Sequence, residues 1–271
     1  MKSRKRKNSA VNIFLTLLMV ALIGVAGYSG YRVVKQLKED SGARDYMEEI
    51  SDVIKETEST TAATQESTSA AAPTEPTEAT TEAVAQKEID FEALWELNKD
   101  VVGWIEPPGT IINYPIAQGI DNGQYLRTLL NGEYHRFGTL FIDYANSPDF
   151  SDFNTIIYGH HIKAGDMFCL VEEYDSIEYY KEHPYFILYT PTGNYLLEPY
   201  AACYDDGLKI LPQKFNGDED EYAEFISEKM ADSLIDTGVE MSSSYDTVSL
   251  YTCSERDDKA RFVLFCRKTE L

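Results

Sequence analysis

The feature that most constrains the fold is a series of short β-type segments: "TIINYPIAQ", "GTLFIDY", "NTIIYGH", "YFILYT", "NYLLEPYAACY", "DTVSLYTC" and "RFVLFCR". Each is rich in Ile, Val, Tyr, Phe and Thr and is bounded by Gly, Pro, Asn or Asp, the composition of strands separated by turns. Seven or eight short strands within about 180 residues predict a closed or nearly closed β-barrel. Two helices punctuate this pattern. "EIDFEALWELNKDVVGWIEPPG" reads as a short helix with Phe91, Leu94, Trp95 and Leu97 on one side, followed by an extended piece. "DEDEYAEFISEKMADSLIDTG" reads as a longer one. Acidic residues crowd its first turn, where the helix dipole favours them. Tyr222, Phe225, Ile226 and Met230 recur at helical spacing to dock on the barrel, and Gly238 suits a C-terminal cap.

Ahead of the barrel the chain has a different character. From Lys7 to Arg32 there are 24 uncharged, mostly apolar residues. At about 1.5 Å rise each they reach about 36 Å, enough to cross a hydrocarbon core of about 30 Å. Lys2, Arg4, Lys5, Arg6 and Lys7 precede the run, which places the N-terminus in the cytoplasm by the positive-inside rule. A cleaved signal peptide would have an apolar region of only about 7–15 residues, so a retained anchor is the better reading. Residues 32–56 read as a charged helical stalk. Thr57 to Gln86 is built almost wholly of Thr, Ala, Glu, Ser, Pro and Gln, with Val84 its one large aliphatic residue. Such a segment buries too little apolar area to offset its ordering entropy and reads as a disordered spacer. The expected layout is therefore a basic tail and membrane anchor over residues 1–31, a stalk and linker over 32–87, and a folded domain over 88–271 held outside the membrane.

Charge narrows the partners. Residues 1–45 carry a net +6, and the remainder a net −28. So acidic a domain repels nucleic-acid phosphates, and no nucleic-acid partner is expected. Most of this charge reads as a solvated surface. Cys169, Cys203, Cys253 and Cys266 are too few and scattered for a disulfide scaffold, and none forms a CxxC pair, so no structural metal and no cofactor is expected.

The candidate chemistry centres on Cys253. Along "DTVSLYTC", strand alternation sends Val248, Leu250 and Thr252 to one face and Ser249, Tyr251 and Cys253 to the other. Cys253 thus lies off the more apolar face, unlike Cys266, which reads as a buried, inert thiol within "RFVLFCR". A lone cysteine is more often core than nucleophile. Three features oppose that reading here: the strand end, the polar loop that follows, and a cation opposite. The chain returns at Arg261 after the seven residues "SERDDKA", so a hairpin brings Arg261 level with Cys253. A guanidinium there could stabilise a thiolate or an oxyanion; Arg256 is a rival within the loop. Of four histidines, His135 and His183 sit in turn-like surroundings and read as surface residues. His160 follows Gly159 at the end of the "NTIIYGH" strand, and from the residues alone it reads either as a solvated strand-end side chain or as the candidate proton shuttle.

These residues carry a resemblance. "DFEALWELNKDVVGWIEPPGTIINYPIAQGIDNGQYL", "SPDFSDFNTIIYGHHIKAGDMF" and "TVSLYTCSERDDKARFVLF" together resemble the class B sortases of Gram-positive bacteria, over about residues 88–271. The resemblance implies a mainly β fold, an eight-stranded barrel with an N-terminal helix and a long helix before the cysteine strand. It also implies a membrane-tethered cysteine transpeptidase that cuts a sorting motif on secreted proteins and joins them to a peptidoglycan amine. Carried over, Cys253 is similar to the nucleophile, His160 to the acid/base and Arg261 to the substrate and oxyanion stabiliser, with His161 a neighbour where the family often has Asn. Tyr251 and Thr252 are the candidate substrate-binding residues. The family commonly reads Leu-Ser-Thr-Cys, whereas this chain has Leu250-Tyr251-Thr252-Cys253, so Tyr251 places the identity of the sorting motif in question. Competing readings are a tethered binding module with an inert Cys253, and a pilin-polymerising sortase of another class. An L,D-transpeptidase would need a His-Gly-Cys neighbourhood that this chain lacks.

Overall fold

The computed structural model describes residues 3–51, 54–55, 87–162, 166–205, 211–253 and 261–271, Cys253 through its backbone. The spacer expected at Thr57–Gln86 and the "SERDDKA" loop with Arg256 lie outside these residues. The chain divides into two compact units, Met1–Glu49 and Ile50–Leu271. The first is a single helix, α1 (Ser3–Ser51), which ends five residues before the stalk boundary read from the sequence. From Val11 onward it is long and apolar enough to cross a membrane.

In the second unit the helix expected near the start of the folded region is α2 (Phe91–Leu97). The Asp90 carboxylate accepts from the Ala93 amide and so satisfies one of the free N–H groups of the first turn. Leu94 is buried as expected, but Leu97, in the last position of the helix, is 51% exposed. The extended piece after it is β1 (Val101–Glu106). The other strands are β2 (Tyr114–Ala117), β3 (Leu140–Ile142), β4 (Asn154–Gly159), β5 (Phe186–Thr190), β6 (Gly193–Asp205), β7 (Asp246–Cys253) and β8 (Arg261–Glu270). They close into an eight-stranded mixed barrel in the order β6-β8-β7-β4-β3-β2-β1-β5. β4 with β7, and β2 with β3, run parallel; the other neighbours are antiparallel.

The registers explain the sequence pattern. In β8, Phe262, Leu264 and Cys266 are fully buried, and so are the intervening Val263 and Phe265. A strand covered on both faces reads as a continuous apolar run rather than an alternating one. The second cover is α4 (Glu219–Ala231), in the crossover between β6 and β7. Its Tyr222, Phe225 and Ile226 pack with Tyr200, Val263 and Phe265 on the barrel's outer wall, as the helical stripe predicts. Each such side chain contributes roughly 1.5–3 kcal/mol when fully buried. Two details differ from the sequence reading. Met230 is 41% exposed, and α4 stops at Ala231, seven residues before Gly238. The chain leaves early because the Leu234 amide donates to the Ala202 carbonyl of β6, which pulls the segment onto the barrel. Gly238 keeps a left-handed φ of +72°, but in the loop beyond.

α4 also changes the meaning of strand alternation in β7. Val248, Leu250 and Thr252 are buried as expected, but Ser249 on the opposite face is buried too, its hydroxyl donating to Asn154 Oδ1 at 2.7 Å. The face carrying Ser249 and Tyr251 is therefore a covered polar face until the strand nears its end. A short helix α3 (Ile177–Glu182), capped by Ser176, leads into β5.

Candidate active site

Three adjacent strands end in one row. In the β7–β8 ladder Cys253 is paired with Arg261, and in the β6–β8 ladder Arg261 is paired with Asp205. On the other side of β7, Thr252 is paired with Gly159, the last residue of β4. One further step in that parallel register brings His160 level with Cys253. With neighbouring strands about 4.8 Å apart, the backbones of His160, Cys253 and Arg261 fall within about 10 Å of one another. The three residues singled out from the sequence thus meet at one rim of the barrel.

Gly159 is required by this arrangement. A Cβ there would collide with Phe168 Cδ2 and lie 2.6 Å from Leu140 Cδ2, closer than carbon atoms approach. The Phe168 amide donates to the His160 carbonyl at 3.0 Å, so the strand end is pinned from the same side. The His160 ring is held by the Leu126 carbonyl in the 3-10 turn Tyr125–Arg127. A carbonyl can only accept, so Nε2 carries the proton and Nδ1 the lone pair. Burial is the main influence on the imidazole and lowers its pKa below the ordinary 6.5. The Leu126 carbonyl acts in the opposite direction, while the charges of Arg127 and Arg261 reinforce the lowering.

The floor beside this rim is aromatic. Tyr158, two residues before His160, stands edge-on to Tyr251 with ring centroids 5.3 Å apart, and leans on Phe141 at 5.2 Å. The Tyr158 hydroxyl donates to Asp143 Oδ2 at 3.0 Å, and burial together with that carboxylate pushes its pKa up. The Tyr251 hydroxyl donates to Asp205 Oδ1 at 3.4 Å, so this side chain reaches across β8 to the end of β6. Thr252 is 1% exposed, within the barrel wall. The sequence reading missed Leu126, Tyr158 and Asp143. Leu126 acts through a carbonyl that any residue supplies, whereas Asp143, an acid at a β-segment end, was a visible signal.

The other candidates resolve into structural roles. His161 lies 3.4 Å from Glu172, which with Asp175 accepts from the Tyr204 hydroxyl. His135 and His183 are half-buried rather than on the surface. His135 accepts from the Phe137 amide and stands edge-on to that ring at 4.6 Å, while the His183 ring lies 4.7 Å from Tyr179. Cys169, Cys203 and Cys266 are buried free thiols. Burial is the first cause in each case, pushing Cys169 and Cys203 up to about 11 and Cys266 well above its ordinary value.

No protein-family model matches the chain. Individual proteins do. Sortase B of Staphylococcus aureus is 29% identical over 244 residues, 89% of this chain and 90% of the relative. Sortase B of Listeria monocytogenes is 27% identical over 91% of this chain and 93% of the relative. Among solved structures, S. aureus sortase B superposes with a TM-score of 0.63 at 30% identity, covering 67% of this chain and 87% of that one. Sortase B has also been solved as a substrate complex and in complex with triglycine. Sortase B of Bacillus anthracis, in complex with AAEK2, gives a TM-score of 0.63 at 31% identity, over 67% of this chain and 83% of that one.

Proposed function

The chain belongs to the class B sortases, which are cysteine transpeptidases, and from that premise we propose that Cys253, His160 and Arg261 carry its reaction on a C-terminal sorting signal. The observation that supports this most directly is the row of strand ends, with Cys253 paired to Arg261 and one register step from His160. The thiolate of Cys253 attacks the carbonyl of the scissile Thr, and its electron pair forms the C–S bond while the carbonyl oxygen takes the charge. Arg261 balances that oxyanion. His160, protonated at this stage, gives its proton to the departing amine as the C–N bond breaks. A peptidoglycan precursor amine then attacks the thioacyl carbon, His160 takes a proton from it, and the Cys253 thiolate leaves. The sortase B relative solved with triglycine supports an amine acceptor of this kind.

The lowered pKa of His160 bears on the resting state. Burial and two guanidiniums disfavour the imidazolium, which favours a neutral imidazole at rest. Turnover then draws on a small ionised fraction rather than a standing ion pair. The α1 helix serves as the membrane anchor, with the basic tail in the cytoplasm and the catalytic unit on the outer face. Enzyme, sorting signal and lipid-linked acceptor then share one surface, and their encounters become effectively local. Tyr251 is the residue we assign to reading the sorting motif, since its ring is half-exposed beside the strand ends.

The deciding experiment uses the full chain in detergent micelles with a library of sorting peptides. Cys253→Ala is expected to abolish both cleavage and thioacyl formation, and His160→Ala and Arg261→Ala to reduce the rate severely. Cleavage by the Cys253→Ala protein would refute the assignment. Tyr251→Ser is expected to alter which peptides are cut; an unchanged profile would remove Tyr251 from the motif-reading role.

A further inference from the structure

We propose that Asp143 is a positioning residue for His160, holding together the two separate supports between which the imidazole is set. The inference rests on the assignment of His160 as the acid/base. The first support is the end of β4, which carries Tyr158 and then His160. The second is the segment 121–127, whose Leu126 carbonyl takes the imidazole Nε2–H. One carboxylate reaches both. Asp143 is 1% exposed, just beyond the end of β3. Its Oδ2 accepts from the Tyr158 hydroxyl at 3.0 Å and from Asn122 Nδ2 at 2.7 Å. Its Oδ1 accepts from the Ala145 amide at 2.9 Å. The Asn122 Oδ1 in turn accepts from the Tyr144 amide at 3.0 Å, so the Asn122 orientation is set at both ends.

A carboxylate is needed because all three partners are donors. An ionised Asp offers acceptor sites only, and its hydrogen bonds are roughly twice as strong as neutral ones. An Asn in its place would turn an NH₂ group toward one of those donors. The rest of the 121–127 segment is tied elsewhere: Asp121 Oδ1 accepts from the Gly123 and Gln124 amides, and the Tyr125 hydroxyl donates to Asp100. Those bonds fix the shape of the segment, whereas the bond from Asn122 to Asp143 fixes its side chain to the group that also holds Tyr158.

The backbone at 143 has its own anchors. The Asp143 amide donates to the Ile156 carbonyl, and its carbonyl accepts from the Asn146 amide and from Gln118 Nε2. Asp143→Asn therefore keeps its backbone frame and is expected to fold. In that variant the two supports separate and the imidazole loses both its fixed direction and part of its burial. Burial is the leading cause of the lowered His160 pKa, so its loss moves that pKa back up toward 6.5.

The test measures pH-rate profiles, kcat and KM of the full chain in micelles on a sorting peptide. For Asp143→Asn we expect kcat to fall about tenfold or more, KM to change less than about twofold, and the limb belonging to His160 to move to higher pH. Tyr158→Phe and Asn122→Ala each release one support and are expected to move the limb the same way by less. Adding Asp143→Asn to the Tyr158→Phe/Asn122→Ala pair is expected to cost little more. If Asp143→Asn fails to fold, the two single variants decide. An unmoved limb in every variant that folds, including one that merely lowers the unfolding midpoint, would overturn the proposal. Full activity of His160→Ala is a different result: it would refute the acid/base assignment itself, whatever Asp143→Asn does.

Discussion

Replacing Gly159 with alanine isolates the close packing on which the site depends. The added Cβ would collide with Phe168 Cδ2 and lie 2.6 Å from both Phe168 Cγ and Leu140 Cδ2. Carbon atoms rest about 3.5–4.0 Å apart, so roughly 1 Å of movement must be found. Phe168 and Leu140 are both 0% exposed and cannot swing into solvent. Overpacking of this kind costs about 1–3 kcal/mol. In a folded unit of this size each kcal/mol lowers Tm by about 2–4 °C, which gives a drop of roughly 2–12 °C. If the strand yields instead, His160 moves with it, and a misplacement of about 1 Å costs on the order of 100-fold in rate. Thermal unfolding and peptide cleavage on the same preparations measure both. Gly193→Ala is the control, because its Cβ would meet nothing nearer than the Tyr195 hydroxyl at 3.8 Å. Shortening Phe168 to Leu alongside Gly159→Ala is expected to restore part of the loss, so that the double variant falls short of the summed single effects. A Gly159→Ala protein with wild-type Tm and rate would refute the packing argument.

Three further outcomes follow from the same geometry. Because His160 has a folded-state pKa below 6.5, the unfolded chain binds the extra proton between those two values. Its contribution to stability is therefore present above about pH 6.5 and lost as pH falls toward the folded value; His160→Gln should flatten that part of a denaturant-midpoint-against-pH curve, and an unchanged slope would contradict the lowered pKa. With Cys169 and Cys203 pushed up to about 11 and Cys266 raised well above its ordinary value, a thiol probe at pH 7 is expected to label the native protein once, at Cys253, and Cys253→Ala to remove that label; fast labelling of any buried thiol would count against it. Asp218 Oδ1 accepts from the Asp220 and Glu221 amides at the start of α4, so Asp218→Ala is expected to cost about 1 kcal/mol in unfolding free energy without touching activity.

The barrel was legible because each strand announces itself by composition and each turn by Gly, Pro or Asn. All seven β-type segments are strands, and the extended piece after α2 supplies the eighth. The hairpin spacing alone predicted the pairing of Cys253 with Arg261. What escaped was set by tertiary contact. The end of α4 at Ala231 is set by a Leu234 amide that meets a β6 carbonyl some thirty residues earlier and draws the chain onto the barrel. The cover on the Ser249 face of β7 was equally hidden, because alternation reports which residues share a face and not what lies above it. The parallel pairing of β4 with β7, which brings His160 to Cys253, joins segments about ninety residues apart and leaves no mark in either.

Tyr251 shows how far a departure from the family pattern can be absorbed. Where the family commonly has Ser, a ring of this size must either protrude or find neighbours. It packs against the cluster beneath α4, stands edge-on to Tyr158 of β4 and hydrogen-bonds Asp205 of β6. An edge-to-face aromatic pair contributes about 0.5–1.5 kcal/mol beyond its buried area. Tyr251 thus links β4, β7 and β6 at the rim where His160, Cys253 and Arg261 end their strands. A residue so placed ties that rim together, and under the proposed motif-reading role the same ring also shapes the surface offered to a peptide. Tyr251→Phe separates the two roles: it keeps the ring and its edge contact and loses only the bond to Asp205. A change in peptide preference with Tyr251→Ser but not with Tyr251→Phe would assign the preference to the ring, and a change with both would assign it to the Asp205 link.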